Sequence, residues 1–97
     1  MQHFNLDNYV VDVLMPDLVG HDRRPAAFIV YLYFLRHAAK GRDTLSVSLQ
    51  TIATKTGLSK STVQAALRHL RRRRLLDPAV AATVTDPVRR VLRPWNR

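Results

Sequence analysis

The 97-residue sequence predicts one small domain, mainly α-helical and closed by a short antiparallel β element. Three observations predict it. A stretch beginning at Pro25 repeats apolar residues at spacings of three and four, the period of a helix with a buried face. Two further helical patterns flank Thr56-Gly57-Leu58, each preceded by a serine suited to cap it. After Leu76 the pattern changes to β-branched runs on either side of the turn-prone trio Thr85-Asp86-Pro87. A hydrophobic content of 46 % belongs to a folded chain, and the length leaves room for one core.

Each element follows from local chemistry. Asn8–Leu18, NYVVDVLMPDL, is apolar and β-branched and is broken by Pro16, so it is expected as a short extended piece of an N-terminal arm over residues 1–24. Pro25 suits the first turn of a helix. From it, PAAFIVYLYFLRHAAK sets Phe28, Tyr31, Leu32, Leu35 and Ala39 on one face, with Gly41 as a stop. The same helix carries Val30, Tyr33 and Phe34 on its other side. Cover for these comes either from the arm and the C-terminal tail or from a second copy of the helix.

TLSVS is a short β-like run, after which Ser48 caps a helix from Leu49 to Lys55 with Leu49, Ile52 and Ala53 along its buried edge. Gly57 fits a helix end where the backbone turns left-handed, and Leu58 plugs the corner that results. Ser59 caps the third helix, whose inner face is Val63, Ala66, Leu67 and Leu70. In AVAATVTDPVRRVL, Arg89 and Arg90 are adjacent, so one lies on each face of a strand. Trp95, the one tryptophan, is expected to anchor the core edge against the helix that starts at Pro25.

Composition excludes several classes of function. There is no cysteine, hence no disulfide or thiolate metal site, and a reducing, cytoplasmic setting is expected. The longest apolar run, Ala26 to Leu35, is too short to span a bilayer, and MQHFNLDNYV does not read as a secretory signal. All acids are aspartates and none forms a close pair along the chain. His3, His21, His37 and His69 lack metal-site spacing, and Gly20, Gly41 and Gly57 are too far apart for a phosphate loop. No enzymatic activity, cofactor, metal, membrane or small-molecule ligand is expected.

The charge points to a partner. Net charge is +9. Residues 1–40 balance Arg23, Arg24, Arg36 and Lys40 against Asp7, Asp12, Asp17 and Asp22. The whole excess therefore lies in residues 41–97, including the run Arg71–Arg74. One neutral half and one cationic half suit a polyanion-binding face, with nucleic acid the leading candidate.

Ala53, Gly57 and Val63 have the four-then-six spacing of a helix-turn-helix. The longer run SLQTIATKTGLSKSTVQAALRHLRRRRLL resembles the winged helix-turn-helix of bacterial transcription regulators and of some plasmid and phage replication proteins. The resemblance implies a three-helix core in residues 25–97 with a two- or three-stranded antiparallel sheet, the helix-turn-helix at 48–74 and the wing at 77–94. It implies double-stranded DNA as partner, a role in transcription regulation in the bacterial nucleoid, and the third helix in the major groove. With Val63 inward, Ser61, Ala65, Arg68 and Arg72 point outward with Gln64 beside them, and Ser59, Lys60, Ser61 and Thr62 stand at the helix start. Gln64 can read adenine and Arg68 guanine or a phosphate, while Ala65 is shorter than the polar residue common there. Arg71, Arg73 and Arg74 are expected to supply backbone or long-range charge, and Arg89 or Arg90 a phosphate contact from the wing. A homodimer through the first helix or the arm is expected, because such domains commonly read two half-sites. Two alternatives remain at this point: a plasmid or phage replication module, and a winged scaffold that binds an acidic protein.

Overall fold

The computed structural model describes residues 2–38, 43–79 and 88–95. In chain order it contains two wide, π-helical segments (Val10–Leu14 and Pro16–His21), α1 (Pro25–His37), β1 (Thr44–Ser46), α2 (Leu49–Thr56), α3 (Lys60–Arg72) and β2 (Val88–Arg90). The expected stop at Gly41, the position of Ala39 and the Thr85-Asp86-Pro87 turn lie outside the described residues.

α1 is the centre of the molecule. It packs on α3 and α2 and, separately, on the second π-helical segment. Phe28, Tyr31 and Leu35 are buried as expected, but so are Val30 and Phe34, both at 0 % exposure. Only Tyr33 of the second set stays half-buried, with its ring against His37. The cover is intramolecular: Val10, Leu14 and Leu18 of the π-helical segments belong to the same core cluster. Val30 and Phe34 therefore have no surface to offer a second copy.

The N-terminal segment thus corrects the expectation of an extended arm. Valines favour strands only where a sheet is there to receive them. Here Val10, Leu14 and Leu18 recur every four residues, close to one turn, and burying them against α1 decides the conformation. Pro16 is tolerated because it opens the second segment, at a position where its missing N–H goes unnoticed. The segment closes through Asp22 N–H to Asp17 O at 2.8 Å and Arg24 N–H to Leu18 O at 2.8 Å, with Arg23 at φ 55° between them. That is the helix-ending motif usually given to glycine.

The corner between α2 and α3 matches the sequence closely. Ser48 Oγ accepts from Thr51 N–H at 3.1 Å, and Ser59 Oγ from Thr62 N–H at 3.2 Å. Gly57 sits at φ 79°, its N–H bonded to Ala53 O at 2.9 Å. Ile52, Ala53, Val63, Ala66, Leu67 and Leu70 are buried, and Leu58 packs against them.

The sheet pairs a mid-chain strand with one from the C-terminal part of the chain. β1 and β2 pair antiparallel with Thr44 opposite Arg90, Leu45 opposite Arg89 and Ser46 opposite Val88. On the other edge of β2, Leu76 bridges to Val91, Asp77 N–H bonds Arg90 O and Leu92 N–H bonds Leu75 O. The chain leaving α3 therefore runs beside the same central strand. The tail beyond is tied down: Tyr31 donates from its buried hydroxyl to Leu92 O at 2.7 Å, and Arg93 pairs with Asp43. Burial raises the Tyr31 pKa. Trp95 is half-buried at the core edge, but the ring it meets is that of Tyr9 in the N-terminal segment, 5.4 Å away, in place of the expected helix starting at Pro25.

One polar network links the N-terminal segment to α3. His69 Nε2 lies 2.7 Å from Asp22 Oδ2 and His21 Nδ1 lies 2.9 Å from Asp22 Oδ1. Arg73 Nε lies 3.2 Å from Asp22 Oδ2, while its Nη2 pairs with Asp17. The His21 hydrogen bond, followed by His69 and Arg73 acting against the penalty of burial, holds the Asp22 carboxyl below its ordinary pKa.

Two substitutions test this architecture. A Cβ at Gly57 would meet nothing within 4 Å, so Gly57→Val acts through backbone strain alone and should cost about 1–3 kcal/mol. Gly57→Asn, which tolerates the left-handed region, should cost less. Denaturant melts compare the two, and equal losses would remove the strain argument. Asp22→Ala should destabilise by about 1–3 kcal/mol near neutrality, since it leaves the His69 ring buried without its partner. A carboxyl with a lowered folded pKa stabilises above its unfolded pKa of about 3.9 and ceases to do so as pH falls through the lower folded value. Melts from pH 7 to pH 2 should therefore show wild type and variant converging only at the acid end.

Candidate nucleic-acid interface

α3 is presented to solvent along one stripe. With Val63, Ala66, Leu67 and Leu70 buried, Ser61, Gln64, Arg68 and Arg72 are exposed, and Ala65 is half-buried beside them. Ser59 and Lys60 are exposed at the helix start, with Thr62 half-buried. The three hydroxyls there are tied together: Ser59 Oγ lies 2.9 Å from Thr62 Oγ1 and 3.2 Å from Ser61 Oγ. Thr62 is thus engaged in the cap, and Ser61 and Lys60 are the freer groups at the N-terminus. That terminus carries the positive end of the helix dipole, which favours an anionic group.

One flank of α3 is fixed: His69 and Arg73 are held by Asp22 and Asp17. Arg73 is therefore not a free cation for a partner, contrary to the expectation from the run Arg71–Arg74. In the sheet, Arg89 faces inward at 6 % exposure and donates from Nη1 to Val47 O at 3.1 Å, while its Nε is buried without a hydrogen-bond partner among the described residues. Burial and then the charge of Arg71 lower its pKa. The strand parity that the sequence left open is settled by this: Arg89 braces the start of α2 and cannot serve as the expected phosphate contact, and Arg90 is the exposed member of the pair. Arg71 is half-buried, and Arg74, at φ 57°, is exposed just past the helix.

The network around Asp22 is not legible in the sequence, because its links to α3 span 47 to 56 residues. Asp17, His21 and Asp22 come close enough to suggest a cation site. Both carboxylates already carry the Arg73 guanidinium, which places positive charge where an ion would sit, so the cluster reads as an ion-pair network. Among the described residues no helix is long and apolar enough to cross a membrane.

The assembled surface is a capped helix with a polar and cationic outer stripe, set by a glycine corner against a preceding helix and flanked by a small antiparallel sheet. Comparison with known proteins identifies the helix–corner–helix unit. A family profile described as a helix-turn-helix domain matches residues 24–76, more than half the chain. No curated protein and no solved structure gave a match. The matched span runs from the residue that precedes α1 to the bridge residue Leu76, with α2, the Gly57 corner and α3 inside it. The chain belongs to the helix-turn-helix domain family, a family of DNA-binding domains, in its winged form.

Proposed function

We propose that the protein binds double-stranded DNA sequence-specifically as a transcription regulator in a bacterial cytoplasm, associated with the nucleoid. The observation that carries this reading is the outer stripe of α3: Ser61, Gln64, Arg68 and Arg72 are exposed together while His69 and Arg73 on one flank are held by Asp22 and Asp17. In this reading Gln64 contacts a base edge, Arg68 a base or phosphate, and Arg72 the backbone. Ser59, Lys60, Ser61 and Thr62 frame a phosphate at the helix start, Ala65 leaves room for close approach, and Arg90 adds a contact from the sheet. Arg89 contributes by holding Val47 and thereby α2. Two copies act together, since one module touches too few base pairs to be selective among the competing sites of a genome.

Selection from random duplexes, followed by titration at several salt concentrations, tests the reading. Affinity should fall steeply with salt as counterions are released, and a flat response would favour an acidic protein as partner instead. Arg72→Ala should weaken binding to all duplexes alike and lower the salt slope by about 1. Gln64→Ala should cost about 1–3 kcal/mol on the selected site only and relax one base position. A sequence preference unchanged in Gln64→Ala would remove α3 as the reader.

A further inference from the structure

The N-terminal segment has a side that the fold does not use. Val10, Leu14 and Leu18 enter the core, while Val11, Met15 and Val19, also spaced by four, remain 45 %, 37 % and 39 % exposed. Residues two apart on a helix lie on nearly opposite flanks, and Asp17 is turned to Arg73 on α3. The stripe through Met15 is therefore directed away from the DNA-reading helix. Three aligned apolar side chains on one exposed flank mark a contact surface more than they mark solvent-facing chain.

The charges at its two ends say what fits it. Asp7 is exposed at the N-terminal end and Arg23 at the C-terminal end, and among the described residues neither forms an ion pair. A two-fold axis through Met15 runs two such segments antiparallel. It places Val11 against the partner's Val19, Met15 against the partner's Met15, and Asp7 against the partner's Arg23, twice over. This face also lies in the half of the chain with no net charge, whereas the excess of +9 lies in residues 41–97.

We propose that two copies of this chain pair through the Val11–Met15–Val19 stripe in an antiparallel, two-fold arrangement clamped at each end by Asp7 and Arg23. The proposal rests on the reading that two copies act together on DNA and assigns the surface they use. An isologous contact of this kind closes on itself and leaves no further sticky face. A pair of short helical segments buries less than the roughly 1,200–2,000 Å² of a stable interface, so pairing is weak in free solution. Two adjacent half-sites raise the effective concentration and make it complete.

Sedimentation across a concentration series, with circular dichroism melts to establish folding, tests it. Met15→Glu, at an exposed position, should keep the fold and lose self-association. Asp7→Arg alone sets arginine against arginine, and Arg23→Asp alone sets aspartate against aspartate, so each should weaken pairing by about tenfold or more. An equimolar mixture of the two variants restores both clamps and should pair within about threefold of the wild type, a rescue that local damage to either chain cannot produce. On DNA, Met15→Glu should bind a single half-site like the wild type and lose cooperative filling of a double site. A mixture no better than its components, or a folded Met15→Glu protein that still pairs, overturns the proposal. So does a wild type that stays monomeric both free and on a double site. Failure of every variant and of the wild type to bind any duplex would instead strike the DNA reading, while the sedimentation series would still judge the interface.

Discussion

Everything in this fold follows from the breadth of the apolar side of α1. Val30, Tyr31 and Phe34 are all at 0 % exposure, and with Ala27, Phe28 and Leu35 they cover about half of the helix circumference, leaving Ile29 and Arg36 toward solvent. An apolar side that broad needs more than one neighbouring element to keep it from water. α2 and α3 enclose one part and the N-terminal segment another. The segment is helical for this reason: its own residues include a proline, a glycine and several β-branched side chains, which would not hold an isolated helix together. Its stability is tertiary. Its widened turns align Val10, Leu14 and Leu18 on the one surface that needs them.

That enclosure has a second effect, on α3. The segment that covers α1 brings Asp17 and Asp22 to the side of α3 that carries His69 and Arg73. α3 is thereby held on that flank, and its rotation about its own axis is set by these contacts and by its buried inner face, outside the stripe proposed to meet DNA. Positioning of this kind matters because a bidentate contact to a base tolerates little angular error.

How much of this the sequence reveals depends on the range of the interaction. The caps at Ser48 and Ser59, the turn at Gly57 and the inner face Val63-Ala66-Leu67-Leu70 rest on bonds spanning a few residues, and all are as read. The N-terminal segment is misread because its conformation is chosen by α1, and local propensity speaks for an extended chain there. Arg89 and Arg90 are ambiguous in sequence because strand parity needs a partner to fix it, and the partner, β1, lies more than forty residues away. Arg73 looks like its neighbours in the arginine run until Asp17 and Asp22 are brought beside it. Two helix ends use Arg23 and Arg74 in the left-handed conformation, where the expected sign, a glycine, is missing.

The division of labour among the arginines has a consequence for selectivity. Phosphate contacts add affinity to every sequence equally, so each free cation on the reading face strengthens non-specific binding together with specific binding. A run of four arginines at the end of α3 would be a strong and indiscriminate clamp if all four were free. Arg73, though exposed, is tied to acids and Arg71 is half-buried, so Arg72 and Arg74 are the exposed members of the run outside the ion pairs found among the described residues. Arg89, buried beneath the sheet, keeps its charge from direct phosphate contact in the same way. On the proposed reading the fold retains a long-range positive field, which would speed encounter with DNA, while restricting the number of cations in contact once bound. Discrimination would then fall to the few polar groups of the stripe, Ser61 and Gln64 above all, and to the proposed pairing of two copies. A domain with so short a proposed reading edge would gain more selectivity from a second copy than from a fourth arginine.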